Sequence, residues 1–137
     1  MNKPSSWVSG VLESAAAYFK SFFKYVGRCL QKFAVFKGRA TRAEYWCFIL
    51  FSFLLDSVLY PVMINITGTE TADIVTGFVL ICLFIPSVSV GVRRLHDINF
   101  KGWWILISIT IIGLIPLWIM YCLPGKPEKN RFGSREV

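Results

Sequence analysis

The sequence predicts an all-α integral membrane protein, with three transmembrane helices preceded by a basic amphipathic interfacial helix. Three observations carry that prediction. Residues 45–66, 72–92 and 103–123 are apolar runs, each about 20 residues long, the length at which an α-helix crosses a bilayer. The 137 residues are 55% apolar and 16% aromatic with a mean hydropathy of +0.55, more apolar surface than a soluble domain of that size hides. Lysine and arginine flank the runs: of 15, eight lie in residues 1–44, three in 92–102, four after 123, and none between 45 and 91. A net charge of +7 would suit nucleic acid in a soluble chain. Here its placement points instead to anionic membrane lipids and the positive-inside bias, and no nucleic acid is expected as a partner.

Residues 1–44 form the interfacial segment. Lys20 and Lys24 interrupt the apolar stretch before a signal-peptide core could form. Lys20, Lys24, Arg28 and Lys32 recur every four residues, while Phe19, Phe22, Phe23, Val26, Leu30 and Phe33 make the facing stripe. Such a helix is expected in the headgroup plane, each cation contributing about 1 kcal/mol near an anionic surface. The alternative is a helix packed on the protein's own spans with its lysines in solvent. Gly38 then supplies a turn, and Thr41 with Glu44 three residues later fits a capping box that opens the first span. Glu44 thus has a structural role, whereas Arg39 and Arg42 are not needed by the cap and are candidates for a phosphate or carboxylate.

The first span, 45–66, has Tyr45 and Trp46 at one interface and Tyr60 near the other. Asp56 falls near its middle, where a charged carboxylate is costly unless protonated or paired. Ser52, Ser57 and Thr110 are the expected partners if Asp56 is structural; the functional alternative is a proton or cation site. Residues 65–71 turn without any lysine or arginine. The second span, 72–92, has Thr71 or Asp73 as its expected cap and small residues Gly77, Ser87 and Gly91 for close packing.

Residues 92–102, VRRLHDINFKG, are polar between two apolar runs and must therefore lie at a water interface. They hold Arg93, Arg94, Asp97, Lys101 and the chain's single histidine, His96. The third span, 103–123, starts on Trp103 and Trp104 and carries a kink signal at Gly113-Leu114-Ile115-Pro116. A polar tail, 124–137, follows.

Orientation decides whether these segments share a face. Eleven basic residues accompany the N-terminal segment and the connector, so that face is expected in the cytoplasm. Three spans then put the tail outside, although it carries Lys126, Lys129, Arg131 and Arg135. The alternative is a re-entrant hairpin broken at 113–116, which returns 130–133 to the side of Arg39 and Arg94. Its arms of about ten residues, about 15 Å each, are too short to span. Three spans are the expectation, with the N-terminus cytoplasmic and the tail periplasmic.

No catalytic residue, metal site or cofactor is expected. His96 and Asp97 are adjacent, and neighbours on a helix end seldom face one another. There is no second histidine, no GxSxG elbow and no phosphate loop. Cys29, Cys47, Cys82 and Cys122 lack CxxC spacing. What accumulates is a cationic cluster, Arg39, Arg42, Arg93, Arg94 and Lys101, with Glu44, His96 and Asp97 beside it. Arginine forks suit phosphate oxygens, so the cluster is a candidate site for an anionic lipid headgroup or for the acidic patch of another membrane protein. The competing account is that these arginines pair with Glu44 and Asp97 and staple the helices. An oligomeric small transporter or channel using Asp56, with homo-oligomers as the partner state, and an enzyme acting on lipid phosphate are the other classes considered.

Three ordered segments, FKGRATRAEYW, RRLHDINFKGWW and LPGKPEKNRFG, resemble the signature segments of the DUF805 family of small bacterial inner-membrane proteins, over residues 36–133. The resemblance implies the cytoplasmic membrane, about three spans, and no established biochemical role. The motif positions it implies are Gly38, Arg39, Arg42, Glu44 and Trp46, then Arg93, Arg94, Leu95, His96, Asp97, Gly102 and Trp103, then Gly125, Asn130, Arg131 and Gly133. The segment before Phe36 is longer than the family pattern, and Asp56 is outside it.

Overall fold

The computed structural model describes residues 6–134, and every regular element among them is helical. The order is α1 (Ser6–Gln31), α2 (Arg42–Thr67), α3 (Thr69–Asp97), a 3₁₀ helix (Gly102–Ile109) and α4 (Ile111–Cys122).

Thr41 starts α2 as its N-cap, its hydroxyl accepting from the Glu44 amide at 3.1 Å. The reciprocal half of the expected box is not made, because the Glu44 carboxylate turns to Arg93 instead. Gly68, at φ 83°, is the hinge between α2 and α3. That left-handed conformation suits glycine, which has no Cβ to clash. α3 begins at once, with no side-chain cap, so neither Thr71 nor Asp73 has the role expected of it.

α2 and α3, of 26 and 29 residues, are both long and apolar enough to cross a membrane; at 1.5 Å per residue they extend about 39 and 43 Å. Only 6% of the most apolar window of α2 is buried, against 28% for α3. Phe53, Val58, Phe78 and Phe84 face outward. A soluble core helix would hide such residues, whereas hydrocarbon solvates them.

The third apolar run does not form the expected span. Its 3₁₀ helix, about 16 Å long at 2.0 Å per residue, and the 12-residue α4, about 18 Å, each fall short of the roughly 30 Å hydrocarbon layer. The two fold back on each other around Thr110. Its hydroxyl donates to the Ile107 carbonyl at 2.9 Å and accepts from the Gly113 amide at 3.2 Å, capping α4. At Gly113 a Cβ would lie 2.0 Å from the Ile107 carbonyl oxygen, so only glycine fits this corner.

Both ends of the hairpin reach the same end of α3. A Cβ on Gly102 would lie 2.7 Å from Val92 Cγ1, and the Leu123 carbonyl accepts from Arg94. The tail, expected on the opposite face, therefore returns to the connector. The reason is hydrogen-bond valence, because the buried guanidiniums of Arg39, ahead of α2, and Arg94, at the end of α3, need more acceptors than the one carboxylate they share supplies.

The core lies at this end, where Phe48, Val90, Leu95, Leu117 and Tyr121 are buried together. α1 packs mainly on α2. Val26 and Cys29 are buried and Phe22 half-buried, while Phe19, Phe23 and Leu30 of the predicted stripe stay exposed. Lys20 and Lys24 are exposed, and Arg28 and Lys32 half-buried.

Candidate functional site: a buried arginine cluster

The last turn of α3 carries Arg93, Arg94, His96 and Asp97. At 3.6 residues per turn Arg94 and Asp97 share a face and pair with each other, whereas Arg93 and His96 reach other segments.

Arg93 points to α2. Its Nη1 lies 2.6 Å from Glu44 Oε1, with side chains 1% and 2% exposed. From α1, Cys29 Sγ is 3.7 Å from both the Glu44 carbonyl and Oε1, so one carboxylate ties three helices. Burial, then the negative charge of Glu44, pushes the Cys29 thiol up to about 12; it stays a thiol and a donor. Arg93 Nε and Nη2 are buried without a hydrogen-bond partner among the described residues.

Asp97 sits between two arginines. Its Oδ1 accepts from Arg39 Nε at 2.9 Å and lies 2.8 Å from Arg39 Nη2, while Oδ2 accepts from Arg94 Nη1 at 2.7 Å. All three side chains are fully buried. One carboxylate cannot satisfy ten guanidinium protons, and backbone carbonyls take the remainder. Arg39 Nη1 donates to the Glu128 carbonyl at 2.7 Å and to that of Gly133 at 3.3 Å, and Nη2 to that of Lys126. Arg94 donates from Nε to the Tyr121 carbonyl at 3.2 Å and from Nη2 to that of Leu123. Those carbonyls end α4, where cations also complement the helix dipole. Arg42, exposed, adds a 3.4 Å bond to the Cys122 carbonyl.

His96 turns the other way. Its Nδ1 is 3.1 Å from the Gly38 carbonyl, which only accepts, so Nδ1 carries the proton. The ring stacks on Phe132 with centroids 3.8 Å apart and planes 5° apart. Asn130 holds Phe132 there, its Nδ2 donating to the His96 carbonyl at 2.8 Å and its Oδ1 accepting from the Phe132 amide at 2.9 Å. Arg131 Nη2 reaches the Asn99 carbonyl at 2.7 Å. Asn99, at φ 68°, ends α3 in a Schellman arrangement, with the Phe100 amide donating to the Leu95 carbonyl.

The three sequence segments thus come together in one cluster. Arg39, Arg93 and Arg94 are consumed by Glu44, Asp97 and carbonyls rather than presented to a headgroup. Arg42, Lys101 and Arg131 are exposed around them. His96 and Asp97 face apart and form no acid–base pair. Asp56 is half-buried on α2 and makes no hydrogen bond or ion pair with any described residue. Its expected partners are otherwise engaged: Ser52, Ser57 and Thr110 donate to the carbonyls of Phe48, Phe53 and Ile107. Sequence reasoning missed Cys29 and Phe132 as cluster members and named Gly125 only as a motif position. For Phe132 the signal was present in the third segment, whose aromatic has no use in a free tail.

One cavity adjoins the cluster and a second lies apart from it. One, about 410 Å³, lies between the end of α3 and the 3₁₀ helix, lined by Phe36, Val92, His96, Gly102, Trp103 and Leu106 among others. The other, about 520 Å³, is an apolar groove between α1 and α2 that includes Phe19, Phe22, Tyr25, Cys47 and Leu50.

Residues 33–134 match the family model described as "Protein of unknown function (DUF805)". The chain is 37% identical over 120 residues to the inner membrane protein YhaH of Escherichia coli (strain K12), covering 85% of this chain and 92% of that one. It is 31% identical over 106 residues to the inner membrane protein YhaI of the same organism, covering 77% and 88%. No solved structure matches the chain. The family match takes in α2, α3, the hairpin and the tail through Gly133, and therefore every member of the arginine cluster except Cys29.

Proposed function

This chain belongs to the DUF805 family, a family of small inner-membrane proteins of unknown function, and from that premise we propose that it is a non-catalytic membrane module that binds anionic lipid headgroups. The observation that carries this reading is the charge of its two ends. Lys37, Arg42, Lys101, Lys126, Lys129 and Arg131 are all exposed around the cluster, whereas the α2–α3 turn exposes Glu70 and Asp73. One end of the molecule is a basic collar and the other is acidic.

The positive-inside bias assigns the collar to the cytoplasmic surface. In this arrangement α2 and α3 cross, the hairpin dips into the bilayer from the cytoplasmic side, and α1 lies along the interface with Lys20 and Lys24 towards the headgroups and Phe19 and Phe23 below. Each exposed cation near that surface adds about 1 kcal/mol. The buried arginines keep the collar in shape; they do not touch the lipid.

The test is native mass spectrometry of the full chain released from nanodiscs that hold anionic lipid and phosphatidylcholine in equal amounts. Anionic lipid is expected to be retained preferentially, and less so at high salt. Equal retention of both would overturn the reading.

A second reading rests on Asp56, which has no described partner within an apolar helix. Supplied by a second copy, that partner would make an oligomeric channel or small transporter. Proton-coupled flux into proteoliposomes, lost in Asp56→Asn, is what this reading requires.

A further inference from the structure

We infer that the cavity between the end of α3 and the 3₁₀ helix is a lipid headgroup site that selects a hydroxyl-bearing anionic headgroup, that of a phosphatidylglycerol, through His96 Nε2. The inference rests on the anionic-lipid reading above and adds a position and a chemical selectivity.

His96 is the polar group on which the apolar walls converge. Those walls are Phe36, Val92, Trp103 and Leu106, and the floor is Gly102. A Cβ on Gly102 would lie 3.5 Å from His96 Nε2, so the missing side chain leaves that nitrogen open to the cavity. Nε2 has no hydrogen-bond partner among the described residues and is not among the buried unpartnered atoms. With the proton on Nδ1, Nε2 offers a lone pair. The Gly38 bond and the Phe132 stack hold the ring in one orientation. The acceptor is thus aimed in advance, which lowers the ordering cost of a ligand.

The ligand must bring a donor, either a hydroxyl or an ammonium. Charge decides between them. Lys37 follows Phe36 on one wall, Lys101 flanks Trp103 on another, and both are exposed. Arg131 lies over Phe132 with its guanidinium 4.8 Å from the ring centroid. Asp97, the carboxylate next to His96 in the chain, is enclosed by two arginines. This surrounding field repels an ammonium and attracts a phosphate, leaving a hydroxyl as the donor. Trp103 and Leu106 are 77% and 51% exposed, so the cavity opens onto the apolar surface of the hairpin. That opening suits a molecule with an acyl chain and makes a bilayer lipid the occupant.

The full chain is released from nanodiscs holding equal phosphatidylglycerol, phosphatidylmethanol and phosphatidylcholine, and retained lipid is read by native mass spectrometry. Phosphatidylmethanol has the same charge but no hydroxyl. Phosphatidylglycerol is expected to be retained about tenfold over it, the equivalent of one hydrogen bond. His96→Ala is expected to abolish that preference while both anionic lipids still exceed phosphatidylcholine, and Lys101→Ala to lower both anionic lipids together. Equal retention of phosphatidylglycerol and phosphatidylmethanol by the unmodified chain would overturn the inference without touching the anionic-lipid reading. Equal retention of all three lipids would overturn both. Displacement of phosphatidylglycerol by soluble glycerol phosphate at comparable concentration would overturn the lipid as occupant.

Discussion

Gly125 crosses Asp97 so closely that a Cβ on the glycine would lie 1.8 Å from the Asp97 carboxylate oxygen. The Lys126 amide then donates to the Asp97 carbonyl at 3.1 Å. The tail is therefore laid over a buried ion pair, and its backbone completes the hydrogen bonding of that pair. The consequences can be measured.

Gly125→Ala is expected to lift the tail from Asp97 and destabilise the protein by about 2 kcal/mol, the cost of overpacking a filled site. Thermal unfolding in detergent reads the stability. Trypsin reads the tail, and faster cleavage after Lys129 is the expected sign, since Pro127 blocks cleavage after Lys126; an unchanged cleavage rate would count against the contact.

Asp97→Asn removes the charged carboxylate that the buried Arg39 and Arg94 share. A loss of about 3–5 kcal/mol is expected, as for one partner removed from a buried pair. Glu44→Gln acts on the separate Arg93 network, so the double variant is expected to lose close to the sum of the two single losses. A strong deviation from additivity in the unfolding free energies would mean that the two networks are one.

Thr41→Ala removes the hydroxyl that accepts from the Glu44 amide, and is expected to cost about 1 kcal/mol, typical of a lost N-cap. Lipid retention should not change, since Thr41 belongs to neither cavity.

Cys29, buried and with its pKa pushed up to about 12, is expected to resist maleimide at pH 8, because the thiolate is the reactive form and it appears only as pH rises towards that value. Exposed Cys122 should react under the same conditions. Peptide mapping after labelling distinguishes them, and Cys29 should label only once the chain is unfolded.

A reporter fused after Val137 is expected to be active in the cytoplasm, on the same side as Lys37, because the tail returns to the connector. Activity only in the periplasm would restore the three-span arrangement.

Much of this was legible residue by residue. Thr41 announced the start of α2, Gly68 the turn, and the polarity of 92–102 a break between apolar runs, since each depends on a near neighbour in the chain. Asp56 was legible as an anomaly, but its lack of a partner among the described residues was not. Serine and threonine hydroxyls in an apolar helix bond their own preceding turn as readily as a neighbouring helix, and Ser52 and Ser57 do so.

Hydropathy, length and charge placement are properties of the chain alone, and they suffice for two long apolar helices and a basic end, but they put the tail on the face opposite the other two polar segments. The fate of residues 103–123 rests on contacts between distant parts of the chain. A crossing helix and a folded-back hairpin have the same composition and nearly the same break signal. The choice depends on Arg39 and Arg94, whose buried guanidiniums share one carboxylate and take their remaining acceptors from the end of α4 and the tail. That requirement links positions up to 94 residues apart, and no local pattern encodes it.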